Sequence, residues 1–261
     1  MTLQVATLIN NNLNISKIMK YLTTLFIISS LFACQTNSNK KKETKASDEW
    51  VSLFDGESFN GWHLYNGGIP EGAWSIENQA MRLSPENKQA CDGSANIVTD
   101  KSFTNFELSL EWKISKAGNS GIFWGVVETS DFPEPYYTGP EIQVLDMGDP
   151  KYDPAVEKTM EYYEAGALYD LAKPSEQVAK PSGMWNHVVL HINHKSNQGH
   201  VVLNDVKIVE FPVHGEGWNQ MVQGSKFKDW GNFGLSRIGK IGLQDHGNAV
   251  WYRNIKIKEL L

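Results

Sequence analysis

The chain of 261 residues holds two cysteines, Cys34 and Cys91. So few thiols exclude a disulfide framework as the device that holds the fold together. Excess positive charge is also missing: 24 Lys and Arg stand against 30 Asp and Glu, a net charge of −6. A phosphate binder needs a basic footprint, so no nucleic-acid partner is expected. No long segment carries an apolar stripe of helical period, which argues against an α-helical class. Neither HExxH nor His-x-His spacing marks a metal site, and neither a GxSxG elbow nor a phosphate-cradling glycine loop occurs. The one sustained apolar run, Tyr21 to Ala33, is short of the roughly 20 residues that a membrane-spanning helix needs.

That run is nevertheless informative. Lys17 and Lys20 precede it, small hydroxyl residues interrupt it, and Cys34 follows, the layout of a secretory signal. Leu31-Phe32-Ala33-Cys34 resembles a bacterial lipobox, whose cysteine is acylated and becomes the mature N-terminus. Residues 1–34 are therefore read as a signal peptide with lipobox, with Met19 as the expected true start and Cys34 as the lipidation site. An ordinary signal peptide cut nearby is the alternative. Residues 35–49 are polar and charged with no large apolar side chain. Such a stretch cannot bury enough surface to fold and is expected to be a flexible tether. The expected location is outside the cell membrane, lipid-anchored to the bacterial cell envelope. Cys91 is left alone and is read as a small packing residue.

Residues 50–261 are expected to form one domain, dominated by period-two patterns. In Asn105 to Ile114, Phe106, Leu108, Leu110, Trp112 and Ile114 face one way and Glu107, Ser109, Glu111 and Lys113 the other, the mark of a half-buried strand. Trp185 to Asn193 alternates likewise. Asn204-Asp205 between two such runs predicts a tight hairpin. At the C-terminus, Trp251, Arg253, Ile255 and Ile257 are assigned to one face. Shorter strands are predicted at 73–77, 80–83, 97–99, 121–127, 141–146 and 240–244, and a short helical turn within 154–165. Many short strands separated by Gly, Pro and Asn turns imply an all-β sandwich or jelly roll. The proline- and tyrosine-rich stretch 131–165 is expected to supply loops over the mouth of a site.

Three segments place polar groups on strands. In Gly118 to Gly125, Ser120, Ile122 and Trp124 share a face; Trp124 is either a floor on which a sugar ring stacks or a core residue. In Gly139 to Asp146, Glu141 and Gln143 lie side by side, a carboxylate and a carboxamide that together make a polar ligand floor and need partners if buried. In Ile241 to Gly247, Gln244 and His246 share a face with Asp245 opposite, and a strand-end histidine serves as a general base or a metal ligand.

Taken in order, WVSLFDGESFNGW (50–62), NFELSLEWK (105–113), NSGIFWGV (119–126), GPEIQVLD (139–146), AGALYDL (165–171), GMWN (183–186) and GKIGLQDHGNAVWYRNIKIKEL (239–260) resemble the 3-keto-disaccharide hydrolase family of exported bacterial proteins. The resemblance implies a concanavalin A-like jelly-roll sandwich of two antiparallel sheets with a concave ligand face, similar to laminarinase-like glycosidases. In those enzymes the comparable strand carries alternating acids; here Gln143 replaces one, which speaks against a paired-carboxylate mechanism. The implied activity is cleavage of 3-keto glycosides or disaccharides by base-catalysed elimination and hydration, a net hydrolysis. Glu141 or His246 is the expected catalytic base, with Asn119, Trp124, Gln143 and Gln244 binding the substrate. No cofactor is firmly expected; a divalent metal ion on Glu141 and His246 is an open alternative. The chemistry implies a sugar 3-dehydrogenase acting upstream. Two other functions compete: a non-catalytic carbohydrate-binding lipoprotein, and a laminarinase-like glycosidase acting on unoxidised glycan.

Overall fold

A computed structural model describes residues 49–90, 94–149, 151 and 158–261. The signal segment with Met19 and Cys34, nearly all of the tether, and Cys91 lie outside these residues. Among the described residues, thirteen strands form two antiparallel sheets. The larger has the order β11-β10-β9-β6-β13-β4-β3, with β1 pairing to β13: Val206–Phe211, Gln198–Leu203, Asn186–Asn193, Phe106–Ile114, Val250–Glu259, Ala80–Leu83, Trp74–Glu77 and Val51–Ser52. The smaller has the order β2-β5-β12-β7-β8: Trp62–Leu64, Ile97–Phe103, Gly239–Leu243, Asn119–Val126 and Glu141–Leu145. The all-β class and the two-sheet jelly-roll sandwich expected from the sequence are thus present.

The core lies between the sheets, where apolar faces are removed from water. From β6 it takes Phe106, Leu108, Leu110, Trp112 and Ile114; from β9 Val188, Leu190 and Ile192; from the smaller sheet Ile97, Ile122, Trp124, Ile142, Val144, Ile241 and Leu243. Alternation does the rest: the intervening residues of β7 and β8, among them Gly121, Phe123, Glu141 and Gln143, lie on the sheet face turned away from this core.

Asn204 and Asp205 both adopt positive φ, 47° and 70°, as the tight turn between β10 and β11 requires. The C-terminal strand departs from the expected face. Val250, Tyr252, Ile255 and Ile257 are buried, whereas Trp251 and Arg253 lie on the outer side. The register against β6 shifts between Arg253 and Lys256, and Asn254 takes φ +52°. An extra residue at this bulge reverses the alternation halfway along the strand.

The free edge of β8 is not left open. Gly166 N donates to Gln143 O (2.8 Å), Gln143 N to Ala167 O (3.0 Å) and Tyr169 N to Glu141 O (3.0 Å). This strap pairs the edge, which blocks pairing with another chain, and sets Tyr169 beside Glu141. The α-helix α1 (Gly215–Gln223) escaped the sequence pattern and buries Trp218. Ser225 then caps a short 3-10 helix, Lys226–Asp229, by accepting from Phe227 N. The expected turn within 154–165 is a 3-10 helix at Lys158–Tyr163.

Candidate functional site

A cavity of about 470 Å³ opens on the outer face of the smaller sheet. Its floor is made from three strand ends. Strand β8 supplies Glu141 and Gln143, β7 begins with Asn119, and the chain leaving β12 supplies Gln244 and His246. Five of the six residues selected from the sequence as ligand-facing therefore meet in one place.

Glu141 is the chemical centre of this floor. Its residue is only 8% exposed, and burial pushes its carboxyl up to about 8, against the opposing pull of Lys226 and a hydrogen bond from Gln244. Desolvation dominates because a carboxylate loses more hydration than a carboxylic acid does. Gln244 Nε2 donates to Glu141 Oε2 at 3.1 Å. Beneath Glu141 lies Gly121: a Cβ built there would overlap the Glu141 carboxyl. The glycine is needed for space, since its φ lies outside the left-handed region.

The carboxamides are held by a second layer. Gln244 N donates to Gly121 O (2.9 Å), and Ser120 Oγ donates to Gln244 O (2.7 Å) while meeting Tyr252 Oη at 2.8 Å. Ser120 faces the core, so its hydroxyl and that of Tyr252 support the floor from behind. Gln143 Nε2 donates to Asn119 Oδ1 (3.3 Å), and Asn119 Nδ2 lies 3.5 Å from His246 Nε2. This chain links the buried floor to His246, which is exposed at the rim. Gln143 Oε1 and Gln244 Oε1 are buried without a hydrogen-bond partner among the described residues. Such acceptors are costly to leave unmet, and sugar hydroxyls are suitable donors.

Trp124 is not part of the site. It is 1% exposed and packs in the core against Phe211 and Trp218, with centroids 6.3 and 6.0 Å away. Period two correctly grouped it with Ser120 and Ile122, but that face is the core face. Asp245, expected opposite Gln244 and His246, also lines the cavity. β12 ends at Leu243, so strict alternation no longer applies at residues 244–246.

The structure adds groups that alternation could not find. Lys226 and Phe227 come from the Ser225-capped 3-10 helix, Trp230 follows it, Tyr169 comes from the strap, and Glu134 and Tyr136 come from the loop after β7. The expectation that stretch 131–165 overhangs the site is met by Glu134 and Tyr136; the 226–230 contribution was not foreseen. Lys226 Nζ donates to Tyr169 Oη (3.1 Å) and stands 4.1 Å from the centroid of that ring. Burial lowers the Lys226 ammonium, while Glu141 and Asp170 pull it the other way. The ammonium places positive charge in the same cavity as Glu141, and the two groups attract each other.

Two further carboxylates line the cavity but are engaged. Asp245 accepts from Ala95 N through Oδ2 (2.9 Å) and from Gly247 N through Oδ1 (2.8 Å). Glu134 Oε2 accepts from Asn96 Nδ2 at 2.7 Å. Among the described residues no three His, Cys, Asp or Glu side chains gather as a metal-ligand set.

A model of the 3-keto-alpha-glucoside-1,2-lyase-like domain family matches residues 49–258. A Bacteroides thetaiotaomicron relative named 3-keto-disaccharide hydrolase is 35% identical over 236 residues, which cover 82% of this chain and 79% of that protein. A crystal structure from Parabacteroides distasonis, provisionally described as a glycosyl hydrolase, superposes with a TM-score of 0.73 at 30% identity, covering 82% of this chain and 95% of that one. A second structure from the same organism, with the same provisional description, gives a TM-score of 0.60 at 26% identity over 81% and 100% of the two chains.

Proposed function

The chain belongs to the 3-keto-alpha-glucoside-1,2-lyase-like domain family, and we propose that it is a glycoside-cleaving hydrolase acting on 3-keto glycosides and disaccharides through elimination followed by hydration. The observation that carries this reading is the buried Glu141, with its carboxyl raised to about 8 and a lysine lining the same cavity.

A ketone at C3 acidifies the hydrogen on C2. The Glu141 carboxylate takes that proton, and the C2–H electrons form an enediolate whose negative charge rests on the C3 oxygen. Lys226 and the Gln244 carboxamide supply positive and hydrogen-bonding groups for that developing charge, an arrangement most effective where water is excluded. Collapse of the enediolate restores the C3 ketone, forms the C1–C2 double bond and expels the C1 oxygen with its group. His246, at the rim and tied to the floor through Asn119 and Gln143, gives a proton to the departing oxygen. Water then adds at C1, giving a proton back to His246, and C2 recovers a proton from Glu141. A raised base suits this first step, because a stronger base has the greater driving force toward a weak carbon acid.

The reading also accounts for Gln143. Conventional glycosidases set two carboxyls across the scissile bond, whereas the β8 floor pairs one carboxyl with an amide. Export, lipid attachment at Cys34 and a sugar 3-dehydrogenase that supplies the ketone complete the proposal; the first two rest on residues 17–34 of the sequence, the third on the chemistry. Glu141→Gln and His246→Ala test the assignment. Turnover of a 3-keto glucoside should fall by about 10²–10⁴-fold without Glu141 and fall less without His246. Near-wild-type turnover in both contradicts it.

A further inference from the structure

The cavity is chemically two-sided. Its floor is carboxyl and carboxamide, while one wall is aromatic: Tyr136, Trp230, Phe227 and Tyr169 line it. The wall is braced from behind. Trp230 stacks on Tyr137 with centroids 5.0 Å apart and 22° between planes, and Tyr136 stacks on the same ring at 5.3 Å. Phe227 is buried and stacks on Phe233 at 3.9 Å. Tyr136 and Trp230 themselves remain partly exposed.

We infer that this wall is a subsite for the leaving sugar ring, with Trp230 and Tyr136 as its platform; the inference rests on the function proposed above. The reasoning runs from depth. Glu141 lies buried at the floor, so the keto ring must enter far enough to present C2 to it. The C1 substituent of that ring then projects toward the mouth, where Tyr136 and Trp230 stand. Pyranose rings carry an apolar C–H face that suits an exposed aromatic face, and a braced ring costs little ordering on binding. The polar edge of such a ring meets Glu134, Asn96 and Asp245 along the adjoining wall. The cavity's volume falls in the range that encloses a whole ligand of two-ring size. Trp230 is accordingly a specificity residue that favours glycosides with a cyclic leaving group.

The test compares kcat/KM for a 3-keto disaccharide and for methyl 3-keto-glucoside in wild type, Trp230→Ala and Trp230→Phe. The expected result is a loss of about tenfold on the disaccharide in Trp230→Ala, about twofold or less on the methyl glycoside, and recovery on the disaccharide in Trp230→Phe, which restores an aromatic face. Equal losses on both substrates, or an unchanged ratio, overturn the subsite while leaving the proposed reaction intact. Wild-type protein that cleaves neither substrate overturns both.

Discussion

Glu141 packs its carboxyl directly over the α-carbon of Gly121, in the space a β-carbon would occupy. The two residues belong to neighbouring strands whose pairing sets Gly121 opposite Gln143 and Phe123 opposite Glu141. This diagonal relationship folds the acid down onto the sheet and out of water. Gly121→Ala should therefore displace the carboxyl while the strand itself persists. A misplacement of about 1 Å costs on the order of 100-fold in rate. The check is kcat on a 3-keto glucoside beside a melting curve: lost activity with a retained fold is expected.

The raised carboxyl fixes a pH profile. The base form of Glu141 grows as pH rises through about 8, so kcat/KM should climb toward a plateau above that value and fall below it. The same titration in Glu141→Gln should lack this limb. A profile that instead declines through pH 8 would assign Glu141 the role of an acid.

Stability should change with pH in the opposite direction. In the folded chain Glu141 holds its proton to about 8, while its ordinary value is 4.5. The folded state binds more protons than the unfolded state between these values, so this residue's contribution is fully present below about 4.5 and is lost as pH rises through about 8. Glu141→Gln, which cannot ionise, should gain melting temperature relative to wild type as pH goes from 5 to 8. Parallel curves for the two proteins contradict the burial argument.

Trp124 provides a separate check on the site's boundary. As a core side chain among Phe211 and Trp218, its truncation to Ala should cost about 3–5 kcal/mol of stability, measurable by urea unfolding. Trp124→Phe should keep both substrate affinity and turnover in the folded protein. A selective rise in KM would return Trp124 to the ligand face.

Much of this architecture was legible because strand alternation is a local signal. β6 and β9 bury the residues their patterns select, and the Glu141–Gln143 pair is visible as polar side chains on an otherwise apolar strand. Alternation, however, groups residues without saying which group faces the core. That is why Trp124 stayed open between floor and core until Ser120 and Ile122 were located on the core side. The bulge at Asn254 inverted half of β13 without any apolar residue marking it. The helix α1 begins Gly-Glu-Gly, which masks its propensity, and it is held by Trp218. Lys226 and Trp230 reach the cavity only through a long-range return of the chain; Ser225 as a helix-capping residue was the one local signal there.

The most direct test is cleavage of a 3-keto glucoside beside its unoxidised parent, with the keto substrate also prepared carrying deuterium at C2. The account predicts cleavage of the keto compound alone, with slower turnover of the deuterated substrate because removal of that hydrogen by Glu141 limits the rate. Equal cleavage of the parent glucoside, or cleavage of the keto compound with no isotope effect from C2 deuterium, would contradict it.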